Sequence, residues 1–292
     1  MIIEPRTVKL TTRTGVDVYR TLPHRDRKMV GAWCFVDMFG PTPQHDAMVV
    51  AAHPHTGLQT ATWLLSGAVE HRDSEGSVQM LVPGDLNLMT AGHGISHSEL
   101  ALVGTEDVLH AVQLWIALPD DSRHQPPHFG NYTNLPSVEL PGARIRVFAG
   151  ELMGVTSPAA TYSPLVGAEI RLEAGATVQL PVRSDFEYGV VVVSGHVSTT
   201  ENVPERAIDV IPAGVNSITV SAETDAIVLM LGGEPFPDKI LMWWNFIGRT
   251  HAEIVEARQQ WNDRSDRFGQ FEDRIGGWIP APDLPNVVLA PR

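Results

Sequence analysis

One fifteen-residue pattern occurs twice in this 292-residue chain, and it leaves few architectures open. HPHTGLQTATWLLSG (53–67) aligns without a gap to PVRSDFEYGVVVVSG (181–195). Both copies carry a Thr or Ser, an aliphatic or aromatic residue, a Gln or Glu, and an apolar run closed by Ser-Gly. Downstream, VPGDLNLMTAG (82–92) matches IPAGVNSITV (211–220), and the steps from Gly67 to Pro83 and from Gly195 to Pro212 are 16 and 17 residues. A repeated β unit of this size predicts two small barrels in tandem. The polar, Pro-rich stretch 118–142 is the expected boundary region, dividing the chain into 1–125 and 126–292.

The segments between the repeats fit that picture. ATWLLSGAVEHRD, VLHAVQLWIAL, RIRVFAG and SITVSAETDAIVLMLGG are rich in Val, Leu, Ile and Thr and bounded by Gly, Pro, Asp and Ser. Only THAEIVEARQQWN reads as helix. Thr250 and Glu253 form a capping box, and Ile254, Ala257 and Trp261 share one stripe that is expected to pack against a barrel.

Charge excludes some functions. Twenty-one basic against 34 acidic residues give −13, so the chain has little to neutralise phosphates, and neither nucleic-acid nor membrane-surface binding is expected. No run nears the roughly 20 apolar residues of a membrane span. The N-terminal MIIEPRTVKL has no signal-peptide core, and a cytoplasmic protein is expected. The single cysteine, Cys34, lies in GAWCFVDMFG and is expected to be a buried small hydrophobe.

The chemistry concentrates in two short pairs. His53 and His55 stand two residues apart, as do His97 and Glu99. On a strand, residues i and i+2 point to one face. Three imidazoles and one carboxylate are good donors for a divalent first-row metal and leave positions for exogenous ligands. The second copy has Pro181 and Arg183 in place of His53 and His55, and nothing near Ala226 and Val228 replaces His97 and Glu99, so the metal is expected in the first barrel only. Fe(II), Mn, Ni, Cu, Co and Zn would all accept these donors.

HPHTGLQTATWLLSG, HRDSEGSVQ, PGDLNLMTAGHGISHSE and the C-terminal WWNF resemble the pirin family of bicupins over nearly the whole chain. The resemblance implies an all-β fold of two tandem cupin jelly-roll barrels with a short C-terminal helix. It implies one divalent metal, most often iron, on His53, His55, His97 and Glu99. Where many relatives carry Arg before the Gly after the TAG turn, this chain has His93. His93 and Gln59 are candidates to touch the substrate or the ligands. His71 and Asp73 read as a turn-stabilising pair, and Trp63, Phe35, Met38 and Met89 as core or pocket wall. The activity implied is quercetin 2,3-dioxygenase-like. A flavonol, or another polyphenol or enediol, would be opened by O₂ with release of CO, and Glu99 would take the hydroxyl proton. Two alternatives stand beside it: a metal- and redox-responsive binding partner of a transcription factor or metabolic enzyme, and a cupin isomerase.

Overall fold

The computed structural model describes residues 1–9, 17–43, 49–102 and 108–291. Strands dominate it, with one α-helix, and the repeat of 53–67 at 181–195 is a repeat of topology; the downstream match is not, because the turn at 82–85 leads into Leu86–Thr90 whereas the turn at 211–214 leads into Ser217–Ala222, one strand further along the unit. In the first copy the strands are β1 (Val49–His55), β2 (Leu58–Ser66), β3 (Val69–Asp73), β4 (Val78–Leu81), β5 (Leu86–Thr90), β6 (Ile95–Ala101) and β7 (Val108–Ala117). In the second they are β8 (Thr177–Pro181), β9 (Glu187–Ser194), β10 (Val197–Ser198), β11 (Asn202–Val203), β12 (Ile208–Ile211), β13 (Ser217–Ala222) and β14 (Ala226–Gly233). A four-stranded sheet runs β1-β6-β3-β4 in one copy and β8-β13-β10-β11 in the other. Facing sheets contain β5-β2-β7 and β12-β9-β14. Each strand of the first copy thus has its counterpart seven strands later, and the two copies are two barrels of one topology.

This correspondence corrects one expectation. The counterpart of β6, which carries His97 and Glu99, is β13 and not the neighbourhood of Ala226 and Val228. On β13 the buried positions are Ile218, Val220 and Ala222, and Ser217 and Thr219 are exposed. On β8 the buried positions are Val178 and Leu180, whereas Pro181 and Arg183 lie at the surface. The second interior is filled by Val and Ile from both sheets. Where the first barrel places imidazoles, the second places close-packed methyl groups.

The compact units are interleaved and do not follow a cut at residue 125. One comprises Met1–Val8, Tyr19–Met38 and Tyr132–Phe236; the other comprises Lys9–Val18, Phe39–Asn131 and Pro237–Arg292. Backbone pairing explains the exchange of the N-terminal segment. The strand Ile2–Ile3 pairs antiparallel with β12, and the N-terminal ammonium meets Asp209 at 2.9 Å. Trp33, fully buried, donates its indole N–H to the carbonyls of Val166 and Gly232.

The C-terminal segment joins the first barrel in the same way. The Ile247 amide donates to Thr56 O and the Ile279 amide to Ala52 O, which closes the outer edge of β1. Helix α1 (His251–Asn262) starts where expected, and the Thr250 hydroxyl accepts from the Glu253 amide. Such a cap contributes about 1 kcal/mol. Glu253 does not complete the capping box. Its carboxylate instead accepts from Arg123 at 2.7 Å and from the Arg249 amide at 3.0 Å. Ile254, Ala257 and Trp261 are buried with Phe246 and Phe268, so the stripe read from the sequence is the packed face.

Candidate metal centre

β1, β6 and β3 lie side by side, and strand alternation turns alternate residues of each into the barrel. In the ladder His97 is opposite His53 on one side and Asp73 on the other; Glu99 is opposite His71. The result is a compact array of His53, His55, His97, Glu99, His71 and Asp73, all between 1% and 7% exposed. The register of β6 against β1 shifts between His97 and Glu99, a bulge that re-aims the carboxylate relative to the imidazoles.

His53, His55 and His97 each offer a nitrogen within 4.8 Å of the other two. Their ring centroids are 4.3 to 5.1 Å apart. Glu99 belongs to an overlapping group, within the same distance of His97 and His71. His97 is therefore shared by two ligand clusters. Thr62 donates to Glu99 Oε1 at 3.5 Å, and the indole of Trp115 meets the His55 ring edge-on at 5.2 Å.

Neighbouring groups sort the imidazole nitrogens. His53 Nδ1 donates to Ala51 O at 2.9 Å, which leaves Nε2 as its free lone pair. His97 Nδ1 faces His71 at 3.3 Å, and its Nε2 faces His55 Nε2 at 3.1 Å. His55 Nδ1 is held less firmly: the Asn245 backbone lies beside it without making a regular hydrogen bond. Burial pushes the His53 imidazole down to about 4 and drives His55 and His97 in the same direction. All three are neutral at pH 7, the form that ligates. The same desolvation raises Glu99, and the Thr62 hydroxyl opposes it. Neutral, inward-aimed imidazoles fit a divalent cation, and no proton has to be stripped from them at neutral pH.

The remaining sequence candidates fall elsewhere. Gln59 is fully buried, and its amide donates to Thr90 on the neighbouring strand, outside both ligand clusters. His93 is exposed, 3.1 Å from Gln125 O, in a cleft of about 460 Å³ with Thr56, His124 and Arg267. Trp63, Phe35, Met38 and Met89 are core residues, as is Cys34. The sequence reading missed His71 as a neighbour of the ligands. Its signal was present: H71-x-D73 is a third pair at the two-residue spacing, between the other two in sequence.

Comparison with known proteins agrees with the fold. The Pirin family model matches residues 15–116, and the model of the pirin C-terminal cupin domain matches residues 167–269. A Pseudomonas aeruginosa protein provisionally named a quercetin 2,3-dioxygenase is 40% identical over 274 residues, 93% of this chain and 87% of its own. A crystal structure of a quercetin 2,3-dioxygenase from Acinetobacter baumannii superposes with a TM-score of 0.94 at 40% identity, covering 98% of this chain and 96% of that one. A bacterial pirin from Escherichia coli, solved in complex with nickel(II), has a TM-score of 0.61 at 17% identity, covering 80% and 99%. At that distance the likeness is one of fold. No helix among the described residues is long and apolar enough to cross a membrane.

Proposed function

The chain belongs to the pirin family, and from that premise we propose that it is a metal-dependent oxygenase of the quercetin 2,3-dioxygenase type. The observation that carries this reading is the convergence of three neutral, buried imidazoles with a buried carboxylate on one face of the first barrel. The ligands proposed are His53, His55, His97 and Glu99, with Fe(II) as the first candidate among the divalent metals these donors accept. Bound there, the metal supplies Lewis-acid polarisation of an oxygen ligand and a place where substrate and O₂ meet.

The chain's own residues do the rest. His53 and Glu99 keep the larger residual exposures, 7% and 6% against 2% and 1% for His55 and His97, so a flavonol or related enediol approaches from their side. Glu99 accepts the substrate hydroxyl proton on its carboxylate. Desolvation raises its basicity for that task, and Thr62 steadies Oε1. In the overall reaction both atoms of O₂ enter the opened product, and one ring carbon leaves as CO. The packed walls around Trp115 and Phe129 keep bulk water from the ligands.

The depth of the site supports a second reading as well. A metal- and redox-responsive binding partner needs nothing larger than O₂ to reach His55 and His97. The isomerase reading has less support: Arg72, adjacent to His71 in sequence, is paired with Glu70 at 2.7 Å. The deciding experiment is CO release from quercetin under O₂. The protein is purified anaerobically and loaded in turn with Fe(II), Mn(II), Ni(II), Cu(II) and Co(II), with His97→Ala as blank. Metal-dependent CO that is absent from the variant is expected. No CO from protein holding one metal per chain removes the flavonol reading and leaves the binding partner in its place.

A further inference from the structure

We propose that Asp73 and His71 are a positioning pair that fixes which nitrogen His97 offers to the metal. The proposal rests on the reading of the first barrel as a metal centre and adds to it two residues that touch no ligand position themselves.

A chain of buried contacts fixes where each hydrogen sits. Asp73 is anchored first: its Oδ1 accepts from the Glu75 and Ser77 amides, both at 3.0 Å. Its Oδ2 lies 3.0 Å from His71 Nε2. An ionised carboxylate only accepts, so His71 Nε2 carries the hydrogen. A neutral His71 ring then presents a lone pair at Nδ1. That atom is 3.3 Å from His97 Nδ1, which must therefore be the donor. With its hydrogen committed outward, His97 has its lone pair at Nε2, the nitrogen aimed at His55. Phe129 stacks on His71 with ring centroids 4.5 Å apart and 18° between planes, which resists rotation of the ring. His71 and Asp73 are 3% and 1% exposed, so water does not compete for these contacts.

Among the three imidazoles, His97 alone has its outward nitrogen met by a side chain; His53 uses a main-chain carbonyl and His55 lies against main chain. A main-chain acceptor cannot change its role, whereas His71 can, and Asp73 is what prevents it. Outer-shell partners of this kind hold a ligand's tautomer and orientation, and removing them weakens metal affinity 10- to 100-fold. His71 is not a further ligand on this view, because both of its nitrogens are already engaged.

The test uses the full chain and Ni(II) as probe, with affinity measured by chelator competition. Asp73→Asn keeps an oxygen for the turn amides but presents an amide N–H to His71, which forces the other tautomer and turns a donor against His97. His71→Phe removes the acceptor and keeps the stack on Phe129. Both variants are expected to bind Ni(II) about 10- to 100-fold more weakly than wild type. The apo-protein melting temperature of Asp73→Asn is expected to stay near the wild-type value. Co(II)-loaded Asp73→Asn is expected to show shifted ligand-field bands, which a purely structural role of the pair would not produce. X-ray absorption of the Ni(II) wild type is expected to count three imidazoles. Wild-type affinity in both variants overturns the pair while leaving the metal centre standing, as does a fourth imidazole in the wild-type shell. A wild-type chain that binds Ni(II) no better than His53→Ala overturns the metal centre itself, and the pair with it.

Discussion

His55 and His97 face each other through Nε2 at 3.1 Å, across 42 residues of sequence. Two lone pairs would repel at that distance. Because His97 carries its hydrogen on Nδ1, His55 supplies the shared hydrogen in the apo-protein, and metal binding moves that hydrogen to His55 Nδ1 with the ring still neutral. Substituting either ring removes a donor from the centre and leaves a buried nitrogen without its counterpart. His97→Ala is expected to weaken metal binding by more than about 100-fold, beyond the range of outer-shell changes. Elemental analysis after gel filtration reads it; retention of one tightly held metal per chain would exclude His97 as a ligand.

Stability of the apo-protein is expected to fall as pH drops from 6.5 towards 4. In the unfolded chain an imidazole takes up its proton near 6.5, but native His53 refuses it until about 4. Between those values the unfolded state binds more protons, so acid favours it. The stabilisation is complete above the unfolded value and is lost on acidification. For His53 alone the loss approaches roughly 3 kcal/mol at the lower limit. His55 and His97 act in the same direction. Glu99 acts oppositely: its raised carboxyl favours the native state in acid, and that contribution is lost as pH rises through its native value. Urea midpoints of the metal-free protein from pH 8 to 5 check the balance. A flat profile would mean that the imidazoles are not desolvated.

The second barrel is expected to stay metal-free even when the ligand motif is copied into it. Pro181→His with Arg183→His places both imidazoles at the surface, while the facing strand offers Ile218, Val220 and Ala222 to the interior. Two exposed rings without a partner do not close a coordination shell. Metal content of the double variant is expected to equal that of wild type, and a second equivalent would refute the packing argument.

Gln59 is expected to matter for stability rather than for the metal. Its amide donates to Thr90, which in turn meets His128 at 3.2 Å. Gln59→Ala breaks that buried chain and is expected to cost about 1–3 kcal/mol in a urea melt, with Ni(II) affinity within threefold of wild type. A large loss of affinity would place Gln59 in direct support of the ligands.

Gly57 joins the ligand strand to the C-terminal segment. It adopts φ +71°, and a Cβ there would lie 2.2 Å from Ile247 O. Gly57→Ala is expected to destabilise the protein by more than about 2 kcal/mol, through backbone strain together with a main-chain clash. A melting temperature within about 2–3 °C of wild type, a shift of well under about 1 kcal/mol, would show that the segment at Ile247 can move aside.

What the sequence by itself determined was local and periodic. The repeat of 53–67 at 181–195 announced two like barrels, because strand length, turn residues and apolar alternation are properties of short segments. The pairs His53/His55 and His97/Glu99 announced two patches of donors, because alternation alone places i and i+2 on one face. The Thr250 cap and the stripe of Ile254, Ala257 and Trp261 were legible for the same reason. Neighbour relations across the chain were decided only by the tertiary structure. Pairing of β3 beside β6 brought His71 and Asp73 onto the ligands, although forty-two and twenty-six residues of chain separate His97 from His55 and His71. The bulge between His97 and Glu99 set the carboxylate in a second group, with His71, that shares His97 with the three-histidine group. The N-terminal strand and the C-terminal segment joined barrels distant in sequence because the edges of β12 and β1 accept any segment that satisfies their amides and carbonyls, and no local pattern names the donor. Which nitrogen of an imidazole is free depends on what packs behind it, and that is a fact of three dimensions.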